Sequence, residues 1–508
     1  MIFNSWSFAV FFPTVILIFF LLPFRYRWIL LLLASYFFYM VWRVEYIVLL
    51  LFSTLVDYWC GLKMSNQEEK IKRKPYLYIS LLSNLGLLFS FKYLDFVTTS
   101  ANSLFDFAGV PLQIPLAHLL LPVGISFYTF QTLSYSIDLY HGNIKAEKHI
   151  GIFAVFVSFF PQLVAGPIER ASHLLPQFRQ KHTFDYKRAK FGLQLMAWGF
   201  FKKLVIADRI AIVVNEVYSS PNDFSGLSIC IASIFFAFQI YCDFSAYSDI
   251  AIGASSIMGY DLMKNFNSPY FSKNISEFWR RWHISLSSWF KDYVYIPLGG
   301  NRTIKWRWYY NLFITFLISG VWHGANWTFV IWGALHGFYL IAALLFKPFT
   351  EILYSKLKLP RKGLIYKITH ISITFFLVVV AWVFFRANTV SDAFLLFKRT
   401  VSTDFVLQVR DLLWVFKSSL LDPRNINWSY PIKLGNEVLH ITFYEFVVAI
   451  CAIGSMEIIH FLQSRYSLRE SISKFHWSLR WLLYYLLIIS IILFGAFNSQ
   501  STFIYFQF

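Results

Sequence analysis

Residues 312–337 read LFITFLISGVWHGANWTFVIWGALHG, two apolar stretches joined by the short segment His-Gly-Ala-Asn. Neither apolar stretch contains Lys, Arg, Asp or Glu. A helix that crosses the hydrocarbon core of a bilayer needs about 20 predominantly apolar residues, and in lipid its backbone polar groups must be paired within the chain. The pattern therefore predicts two neighbouring membrane helices, with a break near residues 324–326.

The same apolar character extends over the whole chain. Of its 508 residues, 57% are hydrophobic and 14% are charged, whereas a soluble protein has about 25% charged residues. No Lys or Arg precedes the first run, which we interpret as a retained span rather than a signal peptide. Some runs could be re-entrant, so we predict an all-α polytopic membrane protein with about 11–13 transmembrane or re-entrant helices. The apolar runs lie near residues 6–22, 27–41, 44–61, 76–98, 115–137, 150–165, 190–215, 226–255, 309–322, 326–346, 365–386, 441–463 and 479–496.

The basic residues lie between the apolar runs. The net charge is +18, which in a soluble domain would suggest a nucleic-acid partner. Here the basic clusters, such as residues 63–74 and 347–362, are typical of cytoplasmic loops that face anionic headgroups. Lys and Arg follow the first, third and fifth runs but are absent from residues 98–117. We therefore predict no nucleic-acid partner, basic loops in the cytoplasm and an N-terminus outside it.

Other features limit the kinds of site and fold. The cysteines show no metal-ligand spacing and no disulfide framework, so we expect no metal site. The sequence has no internal repeat, which weakens without excluding an inverted-repeat transporter. Two longer polar segments, residues 166–188 and 388–439, interrupt the apolar pattern, and the second is long enough for a small extramembrane hairpin. The cysteines are Cys60, Cys230, Cys242 and Cys451, and the second segment contains Asp404, Arg410, Asp422, Arg424 and Asn425.

Residues 237–249 carry polar side chains within an apolar run and read AFQIYCDFSAYSD. Polar groups at membrane depth are costly and are functional hypotheses by default. Gln239, Asp243 and Tyr247 share one helix face at i, i+4 and i+8, which must look into a protein interior or a water-filled cavity. Asp243 and Tyr241 are candidate substrate-binding residues. A helix-packing hydrogen-bond network is an equally open interpretation.

Residues 274–302 combine cations with Trp and Tyr. Asn274 followed by Glu277 resembles a capping box, and the i, i+4 spacing predicts that Trp279 and His283 share a helix face. The segment fits a membrane-interface helix. It also fits a site for a phosphate- or carboxylate-bearing ligand, because Arg pairs such groups bidentately. A turn is predicted where the helix meets Pro-Leu-Gly-Gly at residues 297–300. The cations are Arg280, Arg281, Lys291 and Arg302.

His323 is the candidate for chemistry in the stretch quoted first. A neutral imidazole is a natural general base near pH 7, and the neighbouring Gly320 and Gly324 let another backbone or a substrate approach closely. The alternative is a hydrogen-bonded core histidine. His336 stands in a second His-Gly pair and is a candidate for helix packing or for support of the site. The sequence contains no Walker-type loop, His-Glu-x-x-His pattern or Gly-x-Ser-x-Gly elbow.

Six segments carry a resemblance to known proteins. They are PVGISFYTFQ (122–131), FPQLVAGPIER (160–170), YCDFSAYSD (241–249), FWRRWH (278–283), WFKDYVYIPLGGNR (289–302) and WHG (322–324). Together they resemble one family, the membrane-bound O-acyltransferases, most strongly the bacterial alginate and peptidoglycan O-acetyltransferases, with teichoic-acid D-alanyl transferases as more distant relatives. The resemblance runs from about residue 120 to residue 340, the motif-bearing core of a single domain of residues 1–508 with an extramembrane loop at about 388–439.

The resemblance implies a ring-like bundle, thin at its centre, with a tunnel for an acyl donor. It implies that His323 is the catalytic histidine and that His283 occupies the family's second polar position. It further implies a multi-pass protein of the bacterial cytoplasmic membrane that uses a cytoplasmic thioester donor, acetyl-CoA in our interpretation. The acetyl group would pass to a periplasmic or membrane-anchored acetyltransferase- or esterase-like partner, and through it to a polysaccharide.

The mechanism expected from this interpretation is acyl transfer with His323 as the base, or through a transient acyl-His323. His323→Ala is expected to abolish transfer. The acceptor is left open, because alginate, cellulose and peptidoglycan are all served by similar proteins. A membrane transporter or channel lined by residues 237–249, and a scaffold that only recruits a partner, are the alternative functions. The candidate substrate- or donor-binding residues are Tyr241, Asp243, Trp279, Arg280, Arg281, Lys291, Asp292, Asn326 and His336.

Overall fold

The computed structural model describes residues 1–356, 363–401, 404–421, 431–466, 468–497 and 503–504. These residues are almost entirely helical, as the apolar runs predict. The helices, numbered in chain order, are α1 (Trp6–Leu21), α2 (Arg27–Met40), α3 (Ile47–Ser65), α4 (Lys70–Leu88), α5 (Leu94–Phe107), α6 (Ile125–His141), α7 (Ile150–Ser158), α8 (Ala171–Phe178), α9 (Tyr186–Phe200), α10 (Asp208–Ser219), α11 (Gly226–Met258), α12 (Ile275–Arg281), α13 (Ile284–Phe290), α14 (Lys305–His323), α15 (Trp327–Lys356), α16 (Leu364–Arg386), α17 (Val390–Thr400), α18 (Phe405–Leu421), α19 (Phe443–Gln463), α20 (Leu468–Ser473) and α21 (Trp477–Phe494).

Several helices continue into turns of different pitch. Wider π-helical turns at Phe89–Tyr93, Phe201–Ala207 and Lys291–Tyr295 extend α4, α9 and α13. Such turns are often found at functional sites. An antiparallel hairpin joins β1 (Pro431–Leu434) to β2 (Glu437–Thr442), with Leu434 opposite Glu437. The short 3₁₀ turns are Phe24–Tyr26, Val44–Tyr46 and Pro269–Phe271.

Within the described part of the chain, 7 helical segments are long and apolar enough to cross a membrane. This finding confirms the prediction of an all-α polytopic membrane protein. Other apolar runs form shorter helices, such as α1 with 16 residues and α7 with 9. The long segments are Val44–Ser65, Lys70–Phe107, Gly226–Met258, Trp327–Ile352, Leu364–Arg386, Phe443–Gln463 and Trp477–Phe494.

The run near residues 115–137 illustrates why apolar character does not fix a helix boundary. Its first part forms no regular secondary structure, and helix α6 begins only at Ile125. Pro122 lacks a backbone N–H, and Gly124 adopts φ +80°, a left-handed conformation that glycine tolerates. The chain therefore enters α6 through a bend, and this bend forms one wall of the site described below.

One end of the bundle gathers basic loops. At this basic end the Tyr58 hydroxyl donates to the Lys148 carbonyl at 2.6 Å, and Arg27 Nη1 donates to the His182 carbonyl at 2.5 Å. These contacts join the ends of α2 and α3 to the loops before α7 and α9. The loops near residues 25–27, 63–74 and 145–148, which the charge pattern places on one side of the membrane, therefore share one end of the structure.

The opposite end carries the β-hairpin, and we call it the hairpin end. There Arg386 Nη2 donates to Asn215 Oδ1 at 2.9 Å, and Asn326 Nδ2 donates to the Asn388 carbonyl at 2.9 Å. The predicted loop at about 388–439 contains α17, α18, β1 and the start of β2 in its described part. Asp422, Arg424 and Asn425 of that prediction lie outside the described residues.

The centre of the bundle is built around α11, a 33-residue helix that packs against α9 and α10. A Cβ at Gly192 would lie 2.5 Å from the Gly253 carbonyl, and a Cβ at Gly253 would lie 2.5 Å from the Gly192 carbonyl. Such close approach of two backbones is the usual way in which membrane helices pack, because lipid gives little hydrophobic driving force between them. Helix α11 is thereby fixed as a scaffold behind the site.

A polar cluster ties α3, α4 and α6 together. Asp57 is fully buried and accepts two hydrogen bonds from Asn84 Nδ2, both at 2.9 Å, and one from Ser80 Oγ at 2.5 Å. Ser53 Oγ and Thr132 Oγ1 bond to Asn84 Oδ1 at 2.6 and 3.2 Å. A carboxyl group at this depth is costly unless it is satisfied, so the cluster holds the three helices in one register.

Candidate active site

His323 is the last residue of α14. The predicted break follows it: Gly324 is extended, and the backbone N–H of Thr328 donates to Asn326 Oδ1 at 3.0 Å at the start of α15. A Cβ at Gly320 would lie 2.4 Å from the Phe329 carbonyl and 3.0 Å from Gly333 Cα. The prediction that Gly320 permits close approach of another backbone is therefore confirmed. That backbone is α15, which runs back alongside α14.

The imidazole of His323 is enclosed, with 4% of the residue exposed. Its Nδ1 lies 2.7 Å from the Ser319 carbonyl. Since a carbonyl only accepts, Nδ1 carries the proton and Nε2 is left as the acceptor nitrogen, which is the tautomer a general base requires. Trp322 and Trp332 hold the ring, with centroid distances of 4.9 and 4.7 Å.

A lysine and a tyrosine from the π-helical turn after α4 cap the end of α14. Lys92 Nζ donates to the carbonyls of Trp322 at 2.8 Å and His323 at 3.0 Å, and the Tyr93 hydroxyl donates to Val321 at 3.0 Å. The last carbonyls of a helix have no partner within the helix and carry partial negative charge. An ammonium group at this position therefore both satisfies them and fixes the helix end that carries His323.

A narrow cleft of about 30 Å³ reaches His323 from the side of the α6 bend. Lys92, Gly124, Ser126 and Trp322 are among its walls, and Lys92 Nζ lies 3.4 Å from Ser126 Oγ. The cleft has room for little more than a water molecule or a thin chemical group. The approach to the imidazole on this side is therefore selective by size.

A wider cavity of about 460 Å³ adjoins the cleft, with Lys92 in the wall of both. Asn326, Arg386 and Asn388 also line it, and these residues belong to the hairpin end. We call this space the hairpin-end cavity. Together the cleft and the hairpin-end cavity give His323 an approach from one end of the bundle.

A third cavity of about 190 Å³ lies on the other side of α14. It is mostly apolar, with Trp279, Arg280, Lys291 and Ser319 among its lining residues. The adjacent Tyr293 donates to Asp138 at 2.9 Å near the basic end of α6, so we call this space the basic-end cavity. Its Ser319 is the residue whose carbonyl holds the His323 imidazole.

His283 is fully buried and left-handed, with φ +43° and ψ +56°. A non-glycine residue rarely adopts this conformation, and such strain persists only where the surroundings enforce it, often at active sites. Its Nδ1 lies 3.1 Å from Asn265 Oδ1, and its ring centroid lies 4.6 Å from Phe244 and 6.2 Å from Trp322. The structure thus brings His283 and His323 to the same Trp322 ring.

The predicted common helix face of Trp279 and His283 is wrong. Helix α12 ends at Arg281, Trp282 is extended, and α13 begins at Ile284, so the two side chains do not share a helix. The N-cap is confirmed, since the Glu277 N–H donates to Asn274 Oδ1 at 2.8 Å. The predicted turn at residues 297–300 is also present, with left-handed Gly299 and Gly300.

Trp279 instead joins His336. Its Nε1–H donates to His336 Nδ1 at 3.2 Å, and Trp332 lies between the two histidines, 4.7 Å from His323 and 5.0 Å from His336. His336 is fully buried among aromatic rings. This placement favours the packing role that the sequence left open for His336, in which it supports the tryptophan that contacts His323.

Asp243 lies in a buried ion-pair network. Lys203 Nζ is 2.7 Å from Asp243 and 2.8 Å from Asp208, and all three side chains are at most 4% exposed. The Tyr241 hydroxyl lies 3.2 Å from His460 Nε2. These contacts favour the packing interpretation of residues 237–249, because the carboxylate is already neutralised by a lysine of the π-helical turn after α9.

The other predicted ligand-binding residues have three different placements. Arg281 pairs with Glu277 at 2.7 Å and Asp292 with Arg170 at 3.1 Å, and both pairs are partly buried, with side-chain exposures of 12–47%. Asn326 caps α15. Arg280 and Lys291 line the basic-end cavity. Of these residues, only the last two bring positive charge to the wall of that cavity.

Glu169, from the quoted segment 160–170, anchors the loop beside Asn265. It is fully buried and accepts from the Met263 N–H and from His173 Nδ1, the latter at 2.8 Å. Burial raises the pKa of the Glu169 carboxyl, and the hydrogen bond to Glu169 raises the pKa of the His173 imidazole. Glu169 thereby fixes the loop that places Asn265 next to His283.

Sequence reasoning missed Lys92, Lys203 and Asn265. The signal for the two lysines was available, since each interrupts an apolar run and an intramembrane charge is a functional hypothesis by default. Asn265 carried no such signal, because it lies in an irregular polar segment and its partner is 18 residues away.

The chain is similar in sequence to proteins of known family. The family model "MBOAT, membrane-bound O-acyltransferase family" matches residues 149–385, which include His283 and His323. The chain is 41% identical over 398 residues to the probable alginate O-acetylase AlgI of Pseudomonas syringae pv. tomato, covering 77% of this chain and 74% of that protein. It is 38% identical over 402 residues to the peptidoglycan O-acetyltransferase of Helicobacter pylori, covering 74% of each. It is 31% identical over 226 residues to the teichoic acid D-alanyltransferase of Bacillus subtilis, covering 42% of this chain and 56% of that protein.

Proposed function

Since the chain belongs to the membrane-bound O-acyltransferase family and is a multi-pass membrane acyltransferase, we propose that it transfers acetyl groups across the bilayer for O-acetylation of an extracytoplasmic polysaccharide. The observation that carries the proposal is the position of His323. It lines a cleft that leads to the hairpin end, and its imidazole is bonded to the carbonyl of Ser319, which lines the cavity that faces the basic end. We propose that this one imidazole serves reactants that arrive from opposite sides.

The basic-end cavity suits the donor, which we propose to be acetyl-CoA or another acetyl thioester. Its mostly apolar walls would accommodate the thioester arm, while Arg280 and Lys291 would meet the phosphates. The charge pattern assigns this end to the cytoplasm, where such thioesters are made. The central tunnel implied by the family resemblance would run through this cavity to His323.

The chemistry we propose uses His323 as a general base. Nε2 accepts the proton of an acceptor hydroxyl, the hydroxyl oxygen forms a bond to the thioester carbonyl carbon, and the carbon–sulfur bond breaks. The proton then passes to the departing thiolate. Lys92 is the nearby cation that would oppose the negative charge developing on the carbonyl oxygen, a contribution of about 2.7–4 kcal/mol in comparable sites. His283 donates from Nδ1 to Asn265 Oδ1, so the Nε2 of its neutral ring would accept a hydrogen bond and orient the acceptor hydroxyl.

The narrow cleft supports relayed rather than direct transfer. A free volume of about 30 Å³ beside His323 admits a slender hydroxyl-bearing group more readily than a sugar ring. We propose that a periplasmic or membrane-anchored partner presents such a hydroxyl through the hairpin-end cavity and then acetylates the polymer. The names of the relatives point to alginate-like exopolysaccharide or peptidoglycan as that polymer.

The test is acetyl transfer by the purified protein in proteoliposomes. With labelled acetyl-CoA on the basic-end side, wild-type protein should consume the thioester, and His323→Ala should reduce the rate by at least about 100-fold. His476→Ala, which changes an exposed histidine, is the matched control. Thioester consumption that survives in His323→Ala would overturn the proposal. The transporter alternative predicts flux of substrate without thioester consumption. The buried ion pairs of residues 237–249 disfavour that alternative, because these carboxylates already pair with lysines.

A further inference from the structure

A separate cavity of about 210 Å³ lies at the basic end, away from His323. It sits where α2 and α7 begin and where α8 ends. Three of its lining residues are arginines, and most of the others are apolar or aromatic. The lining residues that matter here are Arg25, Arg27, Trp28, His149, Arg179 and Tyr260.

Arg27 brings a buried positive charge to this cavity. The residue is 8% exposed, and its guanidinium donates to the carbonyls of Leu22 at 3.2 Å and His182 at 2.5 Å and lies 4.6 Å from the Phe19 ring. All of these partners are neutral, and no carboxylate of the described chain pairs with it. A buried charge without a counter-charge is unfavourable, so an anion bound in the cavity would stabilise the Arg27 guanidinium.

The neighbouring arginines bring no carboxylate that would balance the positive charge of Arg27. Arg179 is neutralised by Glu147, with Nε 3.1 Å from Oε2. Arg25 is exposed, stacks on Tyr26 at 4.6 Å and forms no ion pair with any residue that the structure describes. The cavity therefore has two arginines that no acidic side chain balances.

Two helix N-termini add to the positive potential. Helix α2 begins at Arg27 and α7 begins at Ile150, and both first turns border the cavity. The first N–H groups of a helix lack intrahelical partners and attract anions, phosphate in particular. At α7 the N–H of Ile152 donates to His149 Nδ1 at 3.2 Å, and at α2 the N–H of Arg27 donates to the Phe24 carbonyl, so part of this donor capacity is already used within the chain.

The surroundings indicate an amphiphilic ligand. Trp28 and Tyr260 form part of an apolar floor, and Leu21 and Ile29, 74% and 37% exposed, present apolar side chains on the adjacent outer faces of α1 and α2. An anionic head would meet the arginines while its chains lie along this surface. We propose that the cavity binds the phosphate headgroup of an anionic phospholipid.

The experiment compares lipids on the purified full-length protein in detergent. Phosphatidylglycerol should raise the melting temperature by about 3 °C or more beyond the rise given by phosphatidylcholine with the same acyl chains. Arg25→Gln, at an exposed position, should abolish most of this difference, and Arg27→Gln should abolish it entirely. Arg43→Gln is the matched control, because Arg43 is an exposed arginine in the turn at the other end of α2. Native mass spectrometry should show one tightly bound phosphatidylglycerol, lost in Arg25→Gln.

Several results would overturn the proposal. Equal stabilisation by the two lipids would show that charge recognition is absent. Retention of the difference in Arg25→Gln, or its equal loss in Arg43→Gln, would show that the cavity is not responsible. A matching rise with inorganic phosphate alone would assign the site to a soluble phosphate rather than a lipid. Because the readouts are binding and stability, failure here leaves the acetyl-transfer proposal untouched.

Discussion

At the scale of single residues, Lys92 joins the π-helical turn after α4 to the end of α14 that carries His323. Its ammonium bonds the carbonyls of Trp322 and His323 and also lines the cleft and the hairpin-end cavity. Hydrogen bonds to a charged group contribute about 1.5–3 kcal/mol each. The same side chain therefore affects both where His323 sits and the potential that a reacting group meets.

We expect Lys92→Met to lower acetyl transfer by about 10- to 100-fold, because the methionine fills the space but loses two charge-assisted hydrogen bonds. The assay is thioester consumption in proteoliposomes. Lys63→Met, an exposed lysine on α3, should retain wild-type activity. Wild-type rates in Lys92→Met would show that the ammonium contributes neither position nor charge.

His283 allows backbone strain to be separated from side-chain function. Both His283→Gly and His283→Ala remove a buried imidazole and should lower the melting temperature. Glycine pays no steric penalty at φ +43°, so His283→Gly should melt at a higher temperature than His283→Ala, while both variants lose activity by at least about tenfold. Full activity in a stable His283→Gly protein would mean that the imidazole has no part in catalysis.

At the scale of elements, the close packing of α14 and α15 sets the position of His323. A Cβ at Gly333 would lie 2.5 Å from the Phe316 carbonyl and 2.9 Å from Gly320 Cα. Both neighbours are backbone atoms, which cannot move aside as a flexible side chain can. The helix pair is therefore sensitive to a single methyl group at this crossing.

Gly333→Ala is expected to lower the stability by about 1–3 kcal/mol through overpacking and to reduce transfer, because α14 ends at His323, the proposed base. Gly454→Ala in α19 is the control, since open space surrounds a Cβ there. That substitution should be neutral or slightly stabilising, because alanine favours a helix over glycine by about 1 kcal/mol. Thermal melts would measure the stability of the two variants, and the transfer assay would measure their activity. Equal effects of the two substitutions would contradict the claim that the α14–α15 crossing sets the position of His323.

At the scale of the whole molecule, the contacts divide helix ends into a basic end and a hairpin end that match the charge pattern of the loops. We expect Asn66→Cys, at the basic end, to be protected from a membrane-impermeant thiol reagent in intact cells. Arg43→Cys, at the other end, should be labelled. Cys451→Ser would remove the exposed native thiol from the background. The reverse labelling pattern would place the basic-end cavity outside the cytoplasm and contradict its proposed role in binding the donor.

The sequence could predict the helical membrane fold and the position of His323 at a helix end, because both follow from local apolar runs and a short break. It could not predict that α12 stops before His283, since no proline or glycine marks that break and Asn265 enforces it from 18 residues away. The ion pair of Asp243 was equally hidden, because its lysine lies on α9's π-helical extension. In both cases contacts between residues far apart in the sequence determine the structure, and the local sequence pattern does not indicate those contacts.

The bond between Lys92 and the end of α14 joins positions 230 and 231 residues apart, and this separation has a consequence in time. At a synthesis rate of about 5–20 residues per second, the lysine enters the membrane roughly 10–50 s before its carbonyl partners have been made. During that interval its long side chain can reach the polar headgroups of the nearer interface. We therefore expect the contact between Lys92 and the end of α14 to form only after α14 and α15 have entered the membrane, so that the proposed site is completed late in biosynthesis.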